Sequence, residues 1–563
     1  MWIVFEGIDG CGKTTISTRV AERLRGDGLT VEHMREDAMY SRVTHAIREL
    51  GRDSAHLTLT PRAELLLYLA REVQVFEEAI EPALARADVV ICDRCVYTPE
   101  VLAVHGRGLA PEDVATLTAG LVAGRTPDLT ILIDVDPQIA RARRRVAKIV
   151  RPSSRRRSRK GLAGAGLQHR LRAGYLERAE REPSRWMVVD NTEAELASVV
   201  AHVSAAVRAA VHSGSPAPPP ATARARRAPT AARTRDEVVP RFVAWLDRCA
   251  AREPALAAYF LAGLAGDDVD QHRLILAERA PEVMAWGLRG LGDRVSWRLR
   301  RLLAERAPGP IARSLAGVAD DSAARLRTEL APIVPVEVAA SLSGLDSAHA
   351  WALRDDLFAS APDAVVASLG HLTAAATWDT RLWWLDAQGG PAELHRASIA
   401  AVACQSIAGL DDETAWHWRT LCLDVAPVSA LASLAGLVDE RAWQWRQQYL
   451  HQAPKVIMKT LAGLDDPRAW ALRDAVATRC KETLDSMHGL DTPAAWRIRE
   501  RCADVWPSTV VKSLGRLVAT DHGRTLLTRQ VARHGDDPSL LRHAVAYALE
   551  PSPARRAAIA AGR

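Results

Sequence analysis

Seven tryptophans recur along the second half of this chain, each with an arginine three residues behind it. The pairs are Trp297/Arg300, Trp351/Arg354, Trp378/Arg381, Trp416/Arg419, Trp443/Arg446, Trp470/Arg473 and Trp496/Arg499. Between the first two, Ala324 and Arg327 keep the register without the tryptophan. Trp416, Trp443 and Trp470 stand 27 residues apart, whereas Trp378 and Trp416 stand 38 apart, so that repeat carries an insertion. A small-residue turn follows each pair, as in "SLSGL" from Ser341 and "SLAGL" from Ser433. Gly263, Gly290 and Gly317 extend the register upstream, and Ala-Pro recurs at 280, 307, 361, 426 and 453. Each unit therefore reads as helix, Ala-Pro break, second helix, Gly-Leu turn. Two short helices cannot bury their own apolar faces, so about nine units must stack into an all-α solenoid of roughly 27-residue repeats. Tryptophan and arginine three apart share a helix face. They serve packing, with Trp between units and Arg stacked on it or capping carbonyls. Alternatively, they form an arginine ladder for an acidic partner or nucleic acid. Solenoids offer extended surfaces, so a protein partner is the expected role.

Upstream the pattern changes. Residues 211–237 are rich in Pro, Ala and Arg and nearly lack large apolar side chains, which reads as a disordered linker. It separates a domain over 1–210 from the solenoid over 238–563. Within 1–210, apolar runs at 2–5, 88–92, 129–135 and 186–189, and a weaker one at 29–34, alternate with helical stretches. That order predicts an α/β fold, a parallel sheet with helices on both faces and ligands beyond the carboxyl ends of its strands. The net charge of +6 does not by itself argue for nucleic acid. No run of 18 apolar residues appears, so no membrane span is expected, and the first residues already read as strand rather than signal peptide. Eight scattered cysteines suggest no disulfide framework. Cys92-x-x-Cys95 lacks a second pair to complete a metal set, and a reducing cytoplasm is the expected compartment.

Chemistry enters with "FEGIDGCGKTT". Gly7, Gly12, Lys13 and Thr14 fit G-x-x-x-x-G-K-[ST] between a strand and a helix, the setting of a phosphate-binding loop. Gly7, Ile8, Asp9, Gly10, Cys11, Gly12, Lys13 and Thr14 would cradle ATP with inward N–H groups and the helix dipole. Lys13 would reach the β- and γ-phosphates, and the Thr14 hydroxyl would hold Mg²⁺.

Four further stretches sharpen the class: "ELLLYLAREVQVFEEAIEPAL", "VICDRCVYT", "PDLTILIDVDP" and "RAGYLERAEREPSRWMVVD". With the loop, they make residues 1–205 resemble the thymidylate kinase family of P-loop nucleoside-monophosphate kinases. The resemblance implies ATP-dependent phosphorylation of a (deoxy)nucleoside monophosphate, dTMP to dTDP, with ATP and Mg²⁺, and a homodimer. It places Asp9 on the acceptor sugar, Arg94 and Arg48 on the acceptor phosphate, Tyr68 against the base and Asp93 beside the metal. The basic run 141–160 stands where the family carries its lid. Arg155, Arg156, Arg157 and Arg159 are candidates for a transition-state charge, and Arg157 stands for the run in a catalytic set with Asp9, Lys13 and Arg94. The same run could instead be a solvated or RNA-touching segment. The base-reading stretches depart from the family at Cys95, at Ala70-Arg71-Glu72, at Ala103-Val104-His105-Gly106 and at Arg35-Glu36-Asp37-Ala38. A nucleotide-sensing switch with weak turnover, its solenoid holding a partner, is the alternative reading.

Overall fold

The structure is a computed structural model. It describes the chain except residues 36–40, 120, 122–125, 153–158, 165, 214–236, 375 and 550–563. The described residues form two compact units. The linker expected over 211–237 lies almost wholly outside the described residues; its first three residues close the Leu196–Ser213 helix.

The N-terminal unit holds five parallel strands: β1 (Trp2–Glu6), β2 (Val31–Met34), β3 (Val89–Asp93), β4 (Leu129–Asp134) and β5 (Trp186–Asp190), in the order β2-β3-β1-β4-β5. Continuous apolar runs suit strands covered on both faces, and Ile3, Val4, Ile91 and Ile131 are fully buried. The path steps outward from β1 to β2, then back through β3 and across to β4 and β5. With right-handed crossovers this puts the Lys13–Gly26 helix on one face, where Leu196–Ser213 packs beside it, and the helices between β2 and β5, including Pro61–Val75, on the other. β1 is central, so the loop leaving its carboxyl end is flanked by the ends of β3 and β4.

The C-terminal unit contains eleven helix pairs among the described residues. Nine carry the buried arginine, from Arg273 to Arg499. The flanking pairs, Val238–Arg252 with Pro254–Phe260 and Asp521–His534 with Pro538–Ala548, lack it. Most second helices open on proline, as Pro308 does after Ala307 (φ −143°, ψ 56°); Ala397–Ser406 and Glu482–Ser486 do not. They end on a left-handed residue, such as Gly344 at φ 76°. Most first helices are capped by Asp, Ser or Thr side chains, as Asp412 accepts from the Ala415 N–H at 2.9 Å. The 38-residue spacing is taken up between the two helices of one unit, by a 3₁₀ turn at Pro391–His395.

The arginines are interior groups, and no exposed ladder forms. Arg354 is 1 % exposed. Its Nε donates to Ser368 Oγ at 3.0 Å and one Nη to the carbonyls of Leu342 and Leu345 at 2.9 Å each, while its guanidinium lies 4.8 Å over the Trp351 ring. One side chain thus ties its own second helix to the turn of the preceding unit. Arg419 and Arg446 repeat the pattern. Tryptophan is less buried than expected: Trp416 and Trp443 are buried, but the other five are partly exposed lids over their arginines. The packing reading holds, and the binding-ladder reading fails for these arginines.

The array also closes on itself. The last helix, Pro538–Ala548, packs on the first, Val238–Arg252. Arg542 donates to the Ala262 carbonyl at 2.7 Å and lies 5.8 Å from the Tyr259 ring. Second helices pack directly on one another around the array and are rich in Ala and Ser, so they approach closely and form its inner layer. Longer first helices splay outside. An open solenoid needs polar caps; here the terminal pairs cover each other.

Candidate active site

Residues 7–14 wrap into a cradle because three glycines take left-handed backbone: Gly7 (φ 138°), Gly10 (φ 91°) and Gly12 (φ 100°). A Cβ at Gly10 would stand 2.4 Å from the Ala140 carbonyl oxygen, and one at Gly7 2.5 Å from that of Ile133. The Lys13 Nζ turns into the loop and donates to the Gly7 and Ile8 carbonyls at 3.0 Å each. From beyond β5, Asn191 Nδ2 donates to the Cys11 carbonyl at 2.8 Å.

Two loops meet at the mouth. At the end of β3, Asp93 Oδ2 accepts from the Thr14 hydroxyl at 2.5 Å. The other Asp93 oxygen is buried without a hydrogen-bond partner. An orphaned carboxylate oxygen beside a threonine hydroxyl is a hard-oxygen donor set, and it fits Mg²⁺. Arg94 follows with left-handed backbone (φ 77°), which turns its guanidinium back over the loop. It donates to Asp9 Oδ1 at 2.6 Å, to the Gly7 carbonyl at 3.2 Å and to Thr98 Oγ1 at 3.1 Å. Beneath it lies fully buried Glu6, which accepts from the Cys95 N–H at 3.2 Å and Thr98 Oγ1 at 2.8 Å. Burial raises the Glu6 carboxyl above its ordinary value despite Arg94. Burial also pushes on Asp9, but the charges of Arg94, Lys160, Lys13 and Arg144 outweigh it and hold that carboxyl well below the usual range.

A family model described as Thymidylate kinase matches residues 5–202. A thymidylate kinase of Trichlorobacter lovleyi is 37% identical over 204 residues, which are 36% of this chain and 94% of the relative. One of Geotalea uraniireducens is 34% identical, over 37% of this chain and 95% of the relative. The chain belongs to the thymidylate kinase family. A solved thymidylate kinase from Ehrlichia chaffeensis is 26% identical over 37% of this chain and 98% of that one, with a TM-score of 0.29. The N-terminal unit is thus a nucleoside-monophosphate kinase, and the array lies outside the matched span.

Within this thymidylate kinase unit the remaining predicted residues fall less neatly. Tyr68 sits on the Pro61–Val75 helix, half-buried, with the Lys160 ammonium 5.6 Å from its ring. Burial pushes its hydroxyl up to about 12, so it stays neutral at working pH. Arg48 projects from the adjoining Arg42–Arg52 helix, largely buried and 3.9 Å from Glu49. Arg155, Arg156 and Arg157 lie outside the described residues. Arg159 lies 3.2 Å from Glu64 and donates to the Leu59 carbonyl at 2.6 Å. The first half of the basic run is simply the end of the Pro137–Val150 helix. Cys92 Sγ accepts from Trp2 Nε1 at 3.3 Å, and both thiols of the C-x-x-C are free and buried.

Several residues of the site were given no role by the sequence, although Glu64, Arg172 and Tyr175 lie within the stretches that carry the resemblance. Glu64, 1 % exposed, receives Arg107 bidentately at 2.6 and 3.0 Å. The Gly166–Arg181 helix braces the mouth: Gln168 Oε1 accepts from the Asp9 N–H at 3.1 Å, and Arg172 clamps Asp134 at 2.6 and 2.7 Å. Tyr175 OH lies 3.0 Å from Thr98 Oγ1.

Proposed function

We propose that the N-terminal unit transfers the γ-phosphoryl group of ATP to dTMP, giving dTDP, while the array holds a protein partner. One observation carries the reading: Lys13, Thr14, Asp93, Arg94 and Asp9 converge at the carboxyl ends of β1 and β3. In this reading the loop N–H groups and Lys13 bind the ATP phosphates, and Lys13 exchanges its loop carbonyls for phosphate oxygens. Thr14 and Asp93 hold the magnesium, which supplies charge neutralisation to the phosphoryl oxygens. Arg94 and Arg48 grip the acceptor phosphate, Arg94 with a fork suited to two oxygens. Asp9 orients Arg94 and accepts from the acceptor sugar, Tyr68 lies along the base, and Arg157 and its neighbours supply lid charge. Positioning and electrostatics provide the rate. A cytoplasmic setting suits the eight free, buried thiols.

The test is coupled ADP release by the full chain with each deoxynucleoside monophosphate. Turnover should be highest with dTMP and vanish in Lys13→Ala. Equal rates in that variant would remove the proposed ATP site, and turnover with another base alone would reassign the acceptor.

A further inference from the structure

The chain uses lysine sparingly: seven stand among 74 Lys and Arg residues. One is Lys13 of the loop, and Lys148 and Lys160 belong to the basic run 141–160. The other four are Lys455, Lys459, Lys481 and Lys512, all on the inner helices of three consecutive units.

Their placement follows the repeat. In seven units a Ser or Thr near the end of the second helix accepts from the buried arginine, as Thr460 from Arg446 and Ser513 from Arg499. Residues one and five positions before that hydroxyl point away from it together, four apart on one helix face. In the units of Arg354 and Arg419 these positions include Ala367 and Ala432. They become Lys455 and Lys459, then Lys481 and Asp485, then Ser508 and Lys512. Three of these inner helices pack side by side, so the lysines form one arc. Exposed His488 and Arg516 add to it, and Asp485 pairs with Lys512 at 2.6 Å. Beside the arc, the preceding inner helices enclose a cleft of about 230 Å³ lined by Ser343, Gly370, Gln405 and Ser429 among others. At its edge His371 holds the left-handed turn place that glycine fills elsewhere (φ 68°).

We propose that this inner surface binds an extended acidic peptide segment of a protein partner. Glutamate and aspartate side chains would sit on the lysine arc, and small uncharged residues would lie in the cleft. This deepens the reading of the array as a partner-binding element. Charge complementarity chooses the class. A nucleic acid carries the same charge along its whole length, but the surface does not: past the cleft it presents Asp363 and the Arg313–Glu337 pair at 2.7 Å. A peptide can change composition along its length to match. Close approach over Ala, Ser and Gly residues suits an extended main chain, and lysine ammoniums donate to carboxylates without fixed geometry.

The experiment uses the full chain and fluorescence anisotropy. The probe is a labelled twelve-residue peptide, an Ala/Ser half followed by a Glu half. Comparators are the same peptide with Lys for Glu and a charge-matched single-stranded oligodeoxynucleotide. The expected result is at least tenfold preference for the acidic peptide over both. Binding should weaken at least tenfold in the combined Lys455→Gln, Lys459→Gln, Lys481→Gln, Lys512→Gln variant and at least threefold in Gln405→Trp, with ADP release unchanged. Tighter, lysine-dependent binding of the oligonucleotide would overturn the peptide assignment yet leave the array a binding element. Unaltered peptide affinity in the four-lysine variant, or none in the wild type, would overturn the site itself. ADP release reports separately on the kinase reading.

Discussion

The Arg94 guanidinium donates to the Asp9 carboxylate at 2.6 Å, joining the end of β3 to the middle of the phosphate loop. Neither residue is placed by its own loop alone. Arg94 needs left-handed backbone to turn back, and Asp9 is steadied through its N–H by Gln168. Asp9→Asn should lower kcat/KM for the acceptor by about 10²-fold, the scale of losing one well-aimed electrostatic contact. The pH dependence has a definite sign. The folded Asp9 carboxyl lies below its unfolded value of about 4, so the pair's stabilisation is full above that value and fades as pH falls through the folded one. The Tm difference between wild type and variant should stay constant from about pH 5 to 8 and shrink below about pH 4.

Asp93→Asn should leave the fold intact, because its hydrogen bond from Thr14 survives. It removes the charge from the orphaned oxygen. The magnesium concentration for half-maximal ADP release should rise at least about tenfold; an unchanged titration would move the metal away from Asp93.

Gly10→Ala and Gly344→Ala separate crowding from backbone strain. Both glycines are left-handed, at φ 91° and 76°. A Cβ at Gly10 would strike the Ala140 carbonyl, whereas one at Gly344 meets open space. Gly10→Ala should raise the KM for ATP at least about tenfold. Gly344→Ala should cost about 1–2 kcal/mol in urea unfolding and leave turnover unchanged.

Arg354→Ala strips hydrogen bonds from Ser368 and from the Leu342 and Leu345 carbonyls, all in a buried setting. The expected loss is about 3–5 kcal/mol, read by tryptophan fluorescence during urea unfolding. Arg354→Lys should rescue less than half of it, since an ammonium cannot reach three acceptors in a planar fork. Ser368→Ala should cost about 1 kcal/mol.

Arg542→Ala tests ring closure. Amide exchange should accelerate in Pro538–Ala548 and in Pro254–Phe260, whose closing turn the side chain holds at the Ala262 carbonyl. The units of Arg354 to Arg446 should keep their protection. Uniform acceleration would show that stability is not transmitted unit by unit.

Much of this architecture was written locally. Gly7 to Thr14 announce their loop because only glycine tolerates those dihedrals and that close approach. The five strands read as apolar runs because a parallel sheet buries both faces. The Trp-x-x-Arg period, the proline starts and the glycine stops each act within one or two turns of helix, so they survive in one dimension. Tertiary structure alone decided the rest. Whether Arg354 faced solvent or the interior depended on carbonyls of the preceding unit. Ring closure follows from small rotations summed over eleven helix pairs. The bracing of Asp9 by Gln168, of Cys11 by Asn191 and of Glu64 by Arg107 and Arg159 joins residues 43 to 180 positions apart. Such contacts have no period to betray them, because side chains distant in sequence meet only after the backbone between them has folded.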